Sequence, residues 1–240
     1  MKKTLLLILP LLLLSACGDG KYEVTPDTVC YTYWTFSFGT RHDTLPKVDA
    51  KTFEAVKNWL GRDAAHVYYQ NHLIEGCDPA TLRAHKKPLC SDKNDYYYKG
   101  QPMHVADVDG FKVLKQDDLV LWAKDSRYAY YDTVRIQVDD VKAFHLIEWC
   151  VATDNIHVYC FGERVPDADP KTYESLVGGY AKDRSHVWYL NDPVIDADVE
   201  SFKVTDGGVG YDKNGLFEGV ERVKPAAPVN AAEEEPRDEE

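Results

Sequence analysis

The stretch Asp92-Lys93-Asn94-Asp95-Tyr96-Tyr97 carries the pattern that decides the fold, an aspartate followed five residues later by an aromatic residue. The pattern occurs six times, and its aspartates, here called the framing aspartates, are Asp63, Asp92, Asp125, Asp154, Asp183 and Asp212. They are 29, 33, 29, 29 and 29 residues apart, and their aromatic partners are Tyr68, Tyr97, Tyr130, Tyr159, Trp188 and Phe217. A fixed period of this length indicates one supersecondary unit copied about six times.

A second acid, here called the cap acid, lies 14 residues before the framing aspartate in five copies, at Asp49, Asp78, Asp140, Asp169 and Asp198. The third copy has four extra residues, which we place at 115–118, and Asp107 takes this position there. Pro170 follows Asp169, an order typical of a helix N-cap and the first helical residue. A single helical or 3₁₀ turn is therefore expected to begin at each cap acid.

Three short β-strands are expected in every copy. In the fifth copy, turn-forming residues follow Asp183 and lead to a strand at Val187-Trp188-Tyr189. Side chains alternate between the faces of a strand, and both faces here are apolar, which is typical of a strand covered on both sides. We predict a mainly β fold of about six tandem ~29-residue β-meander or hairpin repeats with short helical turns. The copies are expected to stack as a solenoid or propeller-like array, with its closure left open.

The first 17 residues resemble a bacterial lipoprotein signal. Two lysines precede an apolar run over residues 5–14, and Leu14-Ser15-Ala16 leads directly to Cys17. The resemblance implies removal of residues 1–16, acylation of Cys17 with chains such as palmitate, and a lipid anchor in the bacterial cell envelope. Gly18 after the cysteine resembles lipoproteins sent to the outer membrane. The alternative is an ordinary secreted protein whose Cys17 is incidental.

Composition divides the chain into four segments: a signal peptide at 1–16, an N-terminal anchor and capping segment at 17–44, a β repeat domain at 45–223, and an acidic tail at 224–240. The tail is rich in proline, alanine and glutamate and is expected to be disordered. The formal net charge is -12, which argues against nucleic acid and anionic lipid surfaces as partners. The lipid bilayer at Cys17 and an envelope protein or glycan are the expected partners, and no cofactor is indicated.

Five cysteines besides Cys17 would enter an oxidising compartment with the exported chain. Cys150 and Cys160 flank a predicted hairpin turn at residues 153–156, so we predict a disulfide between them. A second disulfide is predicted between Cys77 and Cys90. Cys30 is then left free, buried or joined to another molecule. The chain has no C-x-x-C motif, so the cysteines are interpreted as structural.

The recurring acids are the first candidates for a ligand site. Three pairs of loop carboxylates could bind calcium outside the cytoplasm: Asp107 with Asp109, Asp167 with Asp169, and Asp196 with Asp198. Calcium requires six to eight oxygens, and the chain has no EF-hand loop. Acids at turn positions are also typical of caps and Asx-turns, which explains their period directly. Capping is favoured, and calcium is the alternative.

The tyrosines that follow the framing aromatic residue are candidates for binding: Tyr69, Tyr98, Tyr131 and Tyr189. They could form a stacking ladder for a glycan, or they could seal one copy against the next. An enzyme would instead need a pocket near the N-terminal copies. The group to test for this hydrolase alternative is His72, His85 and His104 around Glu75.

The chain resembles the DKNYY family of bacterial repeat proteins over most of its length after residue 45. The resemblance rests on Asp92-Lys93-Asn94-Asp95-Tyr96-Tyr97, on Asp212-Lys213-Asn214, and on the degenerate copy at residues 183–189. Copies four and six depart from it, with Cys160 and Glu218 in place of the second tyrosine. The resemblance implies a fold and supplies no catalytic residues. We expect a non-catalytic binding or scaffold module anchored in the envelope, with an envelope hydrolase or a calcium-stabilised structural lipoprotein as alternatives.

Overall fold

The computed structural model describes residues 20–225, and within them nearly all regular structure is β-strand. The only helix in this range is a three-residue 3₁₀ turn, Val177–Gly179. The strands form one three-stranded sheet and six four-stranded sheets, all with antiparallel neighbours, so the predicted mainly β repeat fold is confirmed. The predicted signal peptide, Cys17 and nearly all of the acidic tail lie outside the described residues. Among residues 20–225 no helix is long and apolar enough to cross a membrane.

The chain divides into two compact units, with the boundary between Val108 and Asp109. The first unit begins with a three-stranded sheet of β1 (Lys21–Val24), β2 (Val29–Thr35) and β3 (Gly39–Thr44). Its first copy contains β4 (Glu54–Lys57), β5 (Leu60–Arg62), β6 (Val67–Tyr69) and β7 (His72–Leu73). Its second copy contains β8 (Arg83–Ala84), β9 (Leu89–Ser91), β10 (Tyr96–Tyr98) and β11 (Gln101–Pro102).

The second unit contains the four remaining copies. The third copy is β12 (Lys112–Gln116), β13 (Leu121–Lys124), β14 (Ala129–Tyr131) and β15 (Val134–Ile136). The fourth is β16 (His145–Leu146), β17 (Val151–Thr153), β18 (Val158–Cys160) and β19 (Glu163–Arg164). The fifth is β20 (Glu174–Ser175), β21 (Tyr180–Lys182), β22 (Val187–Tyr189) and β23 (Asp192–Pro193). The sixth is β24 (Lys203–Val204), β25 (Gly210–Asp212), β26 (Gly215–Glu218) and β27 (Glu221–Pro225).

Each copy is a four-stranded meander, whereas the sequence indicated three strands. The fourth strand exists because the residue seven places after the framing aspartate always has a positive φ and turns the chain back: Gln70, Lys99, Asp132, Phe161, Leu190 and Gly219. In the second copy Lys99 (φ 51°) is followed by Gly100 (φ 78°), which is the backbone of a two-residue type I′ hairpin turn. Most of these fourth strands have only two residues, too few to show a period in the sequence.

The expected helical turns are single hydrogen-bonded turns. In the first copy, for example, the N–H of Thr52 donates to the carbonyl of Asp49 at 3.2 Å. The strand register locates the four extra residues of the third copy between Lys115 and Trp122, a pair that corresponds to Lys57 and Leu60 of the first copy. This range overlaps the predicted residues 115–118.

Hydrophobic cores form between the sheets of successive copies, as expected for strands with two apolar faces. In the first unit Leu60, Val67 and Ile74 of the first copy pack with Cys90 and Tyr97 of the second. The three-stranded sheet adds a separate cluster against the first copy through Val29, Tyr31, Leu45 and Tyr68. In the second unit the same arrangement joins copies three and four, four and five, and five and six.

Hydrogen bonds reinforce this packing between neighbouring copies of the second unit. The indole N–H of Trp122 donates to the carbonyl of Trp149 at 3.2 Å. The ammonium group of Lys124 donates to the carbonyl of Phe144 at 2.8 Å. Both bonds run from a strand of the third copy to a backbone carbonyl of the fourth, so side chains of one copy satisfy backbone groups of the next.

Candidate functional site

The framing aspartate is buried and accepts four hydrogen bonds, as the first copy shows. Oδ1 of Asp63 accepts from the backbone N–H groups of Ala65 (2.8 Å) and His66 (2.7 Å), which closes an Asx-turn. Oδ2 accepts from the N–H of the cap acid Asp49 (2.9 Å) and from the hydroxyl of Tyr68 (2.9 Å). One carboxylate therefore ties the start, the hairpin turn and the framing aromatic residue of a copy together.

The fourth copy has a similar arrangement, in which the residue before the cap acid Asp140 is the backbone donor. Oδ1 of Asp154 accepts from the N–H groups of Ile156 (3.0 Å) and His157 (2.7 Å). Oδ2 accepts from the N–H of Asp139 (3.0 Å) and the hydroxyl of Tyr159 (3.1 Å). A carboxylate that accepts from backbone N–H groups is needed at the same place in each copy, which explains why the aspartates recur with a period of 29 residues.

The last two copies lack a tyrosine hydroxyl at this place, and the residues around it make different contacts. In the sixth copy Arg222 donates to Oδ1 of Asp212 at 2.8 Å and to Oδ2 at 3.1 Å. Its guanidinium group also lies 4.4 Å from the centre of the Phe217 ring. In the fifth copy the indole of Trp188 donates to the carbonyl of Pro166 at 3.1 Å instead. Sequence reasoning missed the role of Arg222, which lies outside the repeated pattern.

The pKa shifts of these groups suit a structural role. Burial by itself raises the pKa of Asp154, but hydrogen bonds from the backbone N–H groups of His157 and Asp139 outweigh it and lower the pKa to about 2. Burial and the neighbouring carboxylate raise the pKa of Tyr159. A general acid or base works best with a pKa near the working pH. The pKa of Asp154 is lowered and the pKa of Tyr159 is raised, so both lie farther from neutral pH than usual.

The cap acids hold the turns at which each copy begins. Asp78 accepts from the N–H of Ala80 (2.9 Å) and the hydroxyl of Thr81 (3.1 Å), and it pairs with Lys93 at 2.8 Å. The equivalent acid Asp198 pairs with Lys213 at 2.6 Å, and that contact, with hydrogen bonds from Ser201, lowers its pKa to about 2. The cationic partner is the residue directly after the framing aspartate, so the two repeated acids belong to one network.

The acid pairs proposed as calcium ligands have a backbone explanation. Asp167 (φ 57°) and Asp196 (φ 65°) lie two residues before the cap acids Asp169 and Asp198, at a position where the backbone is left-handed. Aspartate tolerates that conformation better than most residues. In the third copy Asp107 is half-buried and Asp109 is exposed.

The acid pairs and the histidines of the described region do not gather into a metal centre. Within residues 20–225, no group of three or more His, Cys, Asp or Glu side chains is arranged to hold a metal ion. In the hydrolase group, His72, Glu75 and His104 are exposed. His85 is exposed as well, and its Nε2 lies 2.8 Å from the hydroxyl of Ser91.

An open pocket in the first unit is lined by Thr52, Arg62, Asp63, Ala64, Pro79 and Ala80. Its polar groups already have structural partners. Arg62 binds Glu54 at 2.8 Å and donates to the carbonyl of Pro79 at 2.8 Å. The hydroxyl of Thr52 donates to Asp49 at 2.9 Å. The pocket therefore adds no group prepared for catalysis.

The second tyrosines pack against glycines of the following copy. A Cβ atom at Gly162 would lie 2.7 Å from Cβ of Tyr131, and one at Gly100 would lie 3.0 Å from Cβ of Tyr69. Tyr189 packs in the same way against Gly219, and Tyr98 is buried. These contacts favour the sealing of one copy against the next over a ladder of exposed rings.

The predicted disulfides are not formed, and the five cysteines of the described region carry free thiols. The strand register places Val151, not Cys150, opposite Cys160, so counting outward from the turn was wrong by one residue. Cys77 and Cys90 pack as small apolar side chains in the core between the first two copies. Burial raises the pKa of the Cys90 thiol to about 12. Cys30 is half-buried, with its sulfur 3.6 Å from the hydroxyl of Thr44.

An exposed aromatic edge in the fourth copy was not predicted. It consists of Trp149, 47% exposed, and Phe161, 36% exposed, whose ring centres are 5.7 Å apart. Tyr131 of the third copy lies behind Phe161, with ring centres 6.3 Å apart. Phe161 occupies the left-handed turn position at which copies one and two carry Gln70 and Lys99. The sequence signal for this edge is an apolar ring at a position that is polar in the first three copies, where Gln70, Lys99 and Asp132 stand.

A family model supports the resemblance that the repeated residues suggested. The model of the DKNYY family matches residues 14–101 and 104–192, which together make up most of the chain. The sixth copy lies beyond the matched stretches. No curated protein and no solved structure matches the sequence. With the repeated Asp-Lys-Asn turns and framing aromatic residues in place, the chain belongs to the DKNYY family.

Proposed function

We propose that the protein is a lipoprotein of the bacterial cell envelope, anchored in the outer membrane through acylated Cys17, whose repeat body is a non-catalytic binding module. One observation carries the second half of this proposal. The recurring carboxylates and tyrosines are used for hydrogen bonds and packing within and between copies, whereas the aromatic edge remains exposed. We therefore assign the binding function to residues that differ between the copies and not to the repeated ones.

The anchor is supported by the order of residues at the N-terminus. A basic start, a short apolar run and Leu14-Ser15-Ala16 before Cys17 are typical of an export signal. A single acyl chain binds a membrane only marginally, but several chains on one cysteine would hold the protein stably.

The aromatic edge favours a protein partner. Tryptophan and other aromatic side chains are enriched in protein interfaces, and Trp is frequent among residues that contribute most to binding. The ring of Phe161 is nearly perpendicular to that of Trp149 (84°) and to that of Tyr131 (87°). Such rings offer no common flat platform for stacked sugars, but they leave grooves that apolar side chains can fill. The module is thus proposed to hold another envelope protein.

The test is photo-crosslinking in intact cells with the full chain. A photoreactive phenylalanine analogue replaces Phe161, and the matched control carries it at Gln70, which has the same turn position and a similar φ (55°). One recurrent protein adduct at Phe161 that is absent at Gln70 supports the proposal. A glycan adduct would change the partner class, and equal labelling at both positions, or none at Phe161, would exclude the edge as the binding surface.

A further inference from the structure

The turn between β2 and β3 exposes three aromatic side chains, which we call the aromatic tip: Trp34, Phe36 and Phe38. Their exposed fractions are 43%, 93% and 76%. In the first unit, the only other large apolar side chain exposed among the described residues is Val24. Exposed apolar area in this unit is therefore concentrated at one end of one sheet.

The tip has a defined conformation. The hydroxyl of Thr35 accepts from the N–H of Phe38 at 3.2 Å and donates to the carbonyl of Gly39 at 3.3 Å. The rings of Trp34 and Phe36 meet edge to face, with centres 6.3 Å apart. These contacts hold the rings outward, so little order has to be gained when they enter an apolar surrounding.

The strand register places the tip at the end of the sheet where the N-terminal segment enters. Lys21 pairs with Thr32, and Val24 pairs with Val29, so β1 runs antiparallel to β2. Traced backwards from Lys21, the chain therefore heads in the direction in which β2 continues to Trp34. Gly20 is buried against the ring of Tyr31. From Gly20 to Cys17 there are three residue steps, a reach of about 11 Å.

That reach is similar to the distance between the start of β1 and the aromatic tip. From Thr32, opposite Lys21, three residue steps lead to Thr35 at the end of β2 and one more leads to Phe36 in the turn, a distance of at most about 13 Å. An acyl anchor on Cys17 would thus lie within a short distance of the aromatic tip, and the Val24 end of the sheet would lie farther away.

Charge supports an apolar contact at this place. Residues 28–40 contain no Asp, Glu, Lys or Arg, although 28% of the whole chain is charged. The net charge of -12 repels anionic lipid from the body as a whole, so any direct contact with a bilayer has to be made by an uncharged surface. Tryptophan and phenylalanine are side chains typical of the membrane interface.

We propose that the aromatic tip inserts into the interface of the bilayer that holds the acyl chains of Cys17, as a second attachment that fixes the orientation of the first unit. This inference rests on the proposed lipid anchor. The bilayer would bury the side chains of Phe36, Phe38 and Trp34 in an apolar environment. The anchor at Cys17 keeps the loop near the membrane, and this high local concentration compensates for the small apolar area of one loop.

The experiment uses the full-length acylated protein, purified from membranes and reconstituted into vesicles of zwitterionic phosphatidylcholine. Acylation is first checked by the mass of the N-terminal peptide. A photoreactive phenylalanine analogue is placed at Phe36, and the control carries it at Val24, an exposed apolar position at the far end of the same sheet. In parallel, brominated lipid is used to quench tryptophan fluorescence of the parent and of Trp34→Phe.

A lipid adduct at Phe36 but not at Val24, together with quenching that is lost in Trp34→Phe, is the expected result. If the protein is acylated and vesicle-bound but Phe36 forms no lipid adduct, the tip does not enter the bilayer, and the proposed anchor stands. Equal adducts at both positions would mean general contact of the sheet and would also overturn the inference. A protein without acyl chains on Cys17 would instead overturn the proposed function itself.

Discussion

Replacement of Asp154 by asparagine tests the role of the framing aspartates most sharply. Asp154 is 0% exposed and accepts four hydrogen bonds, two at each carboxylate oxygen. In the Asp154→Asn variant the side-chain amide keeps one oxygen for the N–H groups of Ile156 and His157. The NH₂ group of that amide then faces the N–H of Asp139. Both are hydrogen-bond donors, so the bond from Asp139 is lost. The N–H of Asp139 left without its acceptor at the buried side chain and the loss of a charge-assisted bond together cost about 3 kcal/mol.

The pKa of Asp154 gives a second route to this magnitude. The shift from 3.8 to about 2 means that the folded protein favours the ionised form. At ~1.4 kcal/mol per pKa unit, the preference is about 2 kcal/mol. The two routes agree on a loss of about 2 to 3 kcal/mol for Asp154→Asn.

The assay is urea denaturation of the full chain followed by tryptophan fluorescence, with Asp206→Asn as the control. Asp206 is exposed, so its amide variant is expected within about 0.5 kcal/mol of the parent. If Asp154→Asn is as stable as Asp206→Asn, the carboxylate does not hold the copy together, and the structural interpretation of the repeated acids is wrong.

Three further changes test other parts of the fold. Arg222→Met leaves the buried carboxylate of Asp212 without its cation and should lower the free energy of unfolding by about 3 kcal/mol in the same assay. Gly162→Ala adds a Cβ that meets a tyrosine of the neighbouring copy and should cost about 2 to 4 kcal/mol, whereas Gly39→Ala, also at positive φ but facing open space, should cost about 1 kcal/mol. The pKa of Asp154 is lower in the folded protein than in the unfolded chain, so its contribution to the free energy of unfolding is complete above about pH 4 and is lost as the pH falls towards 2. The free energy of unfolding should therefore decline across that window, and it should decline less in Asp154→Asn.

The sequence was sufficient for the parts of the fold that repeat. The period, the caps at Asp78 and Asp198, and strands covered on both faces all follow from residue types at fixed spacing. The fourth strand could not be predicted, because it has two residues in most copies and depends on a left-handed turn residue of no fixed type, such as Gln70 or Leu190. Paired acids were interpreted as candidate ligands because the pattern does not show which backbone positions have positive φ.

The candidate site depends on residues that break the repeat, and these were the hardest to predict. Arg222 replaces a tyrosine hydroxyl from a distance of ten residues, a contact that only the strand pairing reveals. Trp149 and Phe161 meet because a turn and a strand end come together in space. The disulfide prediction failed for a similar reason, since one residue of register decides whether Cys150 faces Cys160.

The most direct test of the lipid anchor is the mass of the N-terminal peptide of the mature protein, isolated from bacterial membranes after proteolysis. The expected peptide begins at Cys17 and carries the added mass of several acyl chains. A peptide that begins elsewhere, or at an unmodified Cys17, would contradict the proposed anchor and with it the placement of the aromatic tip at a membrane.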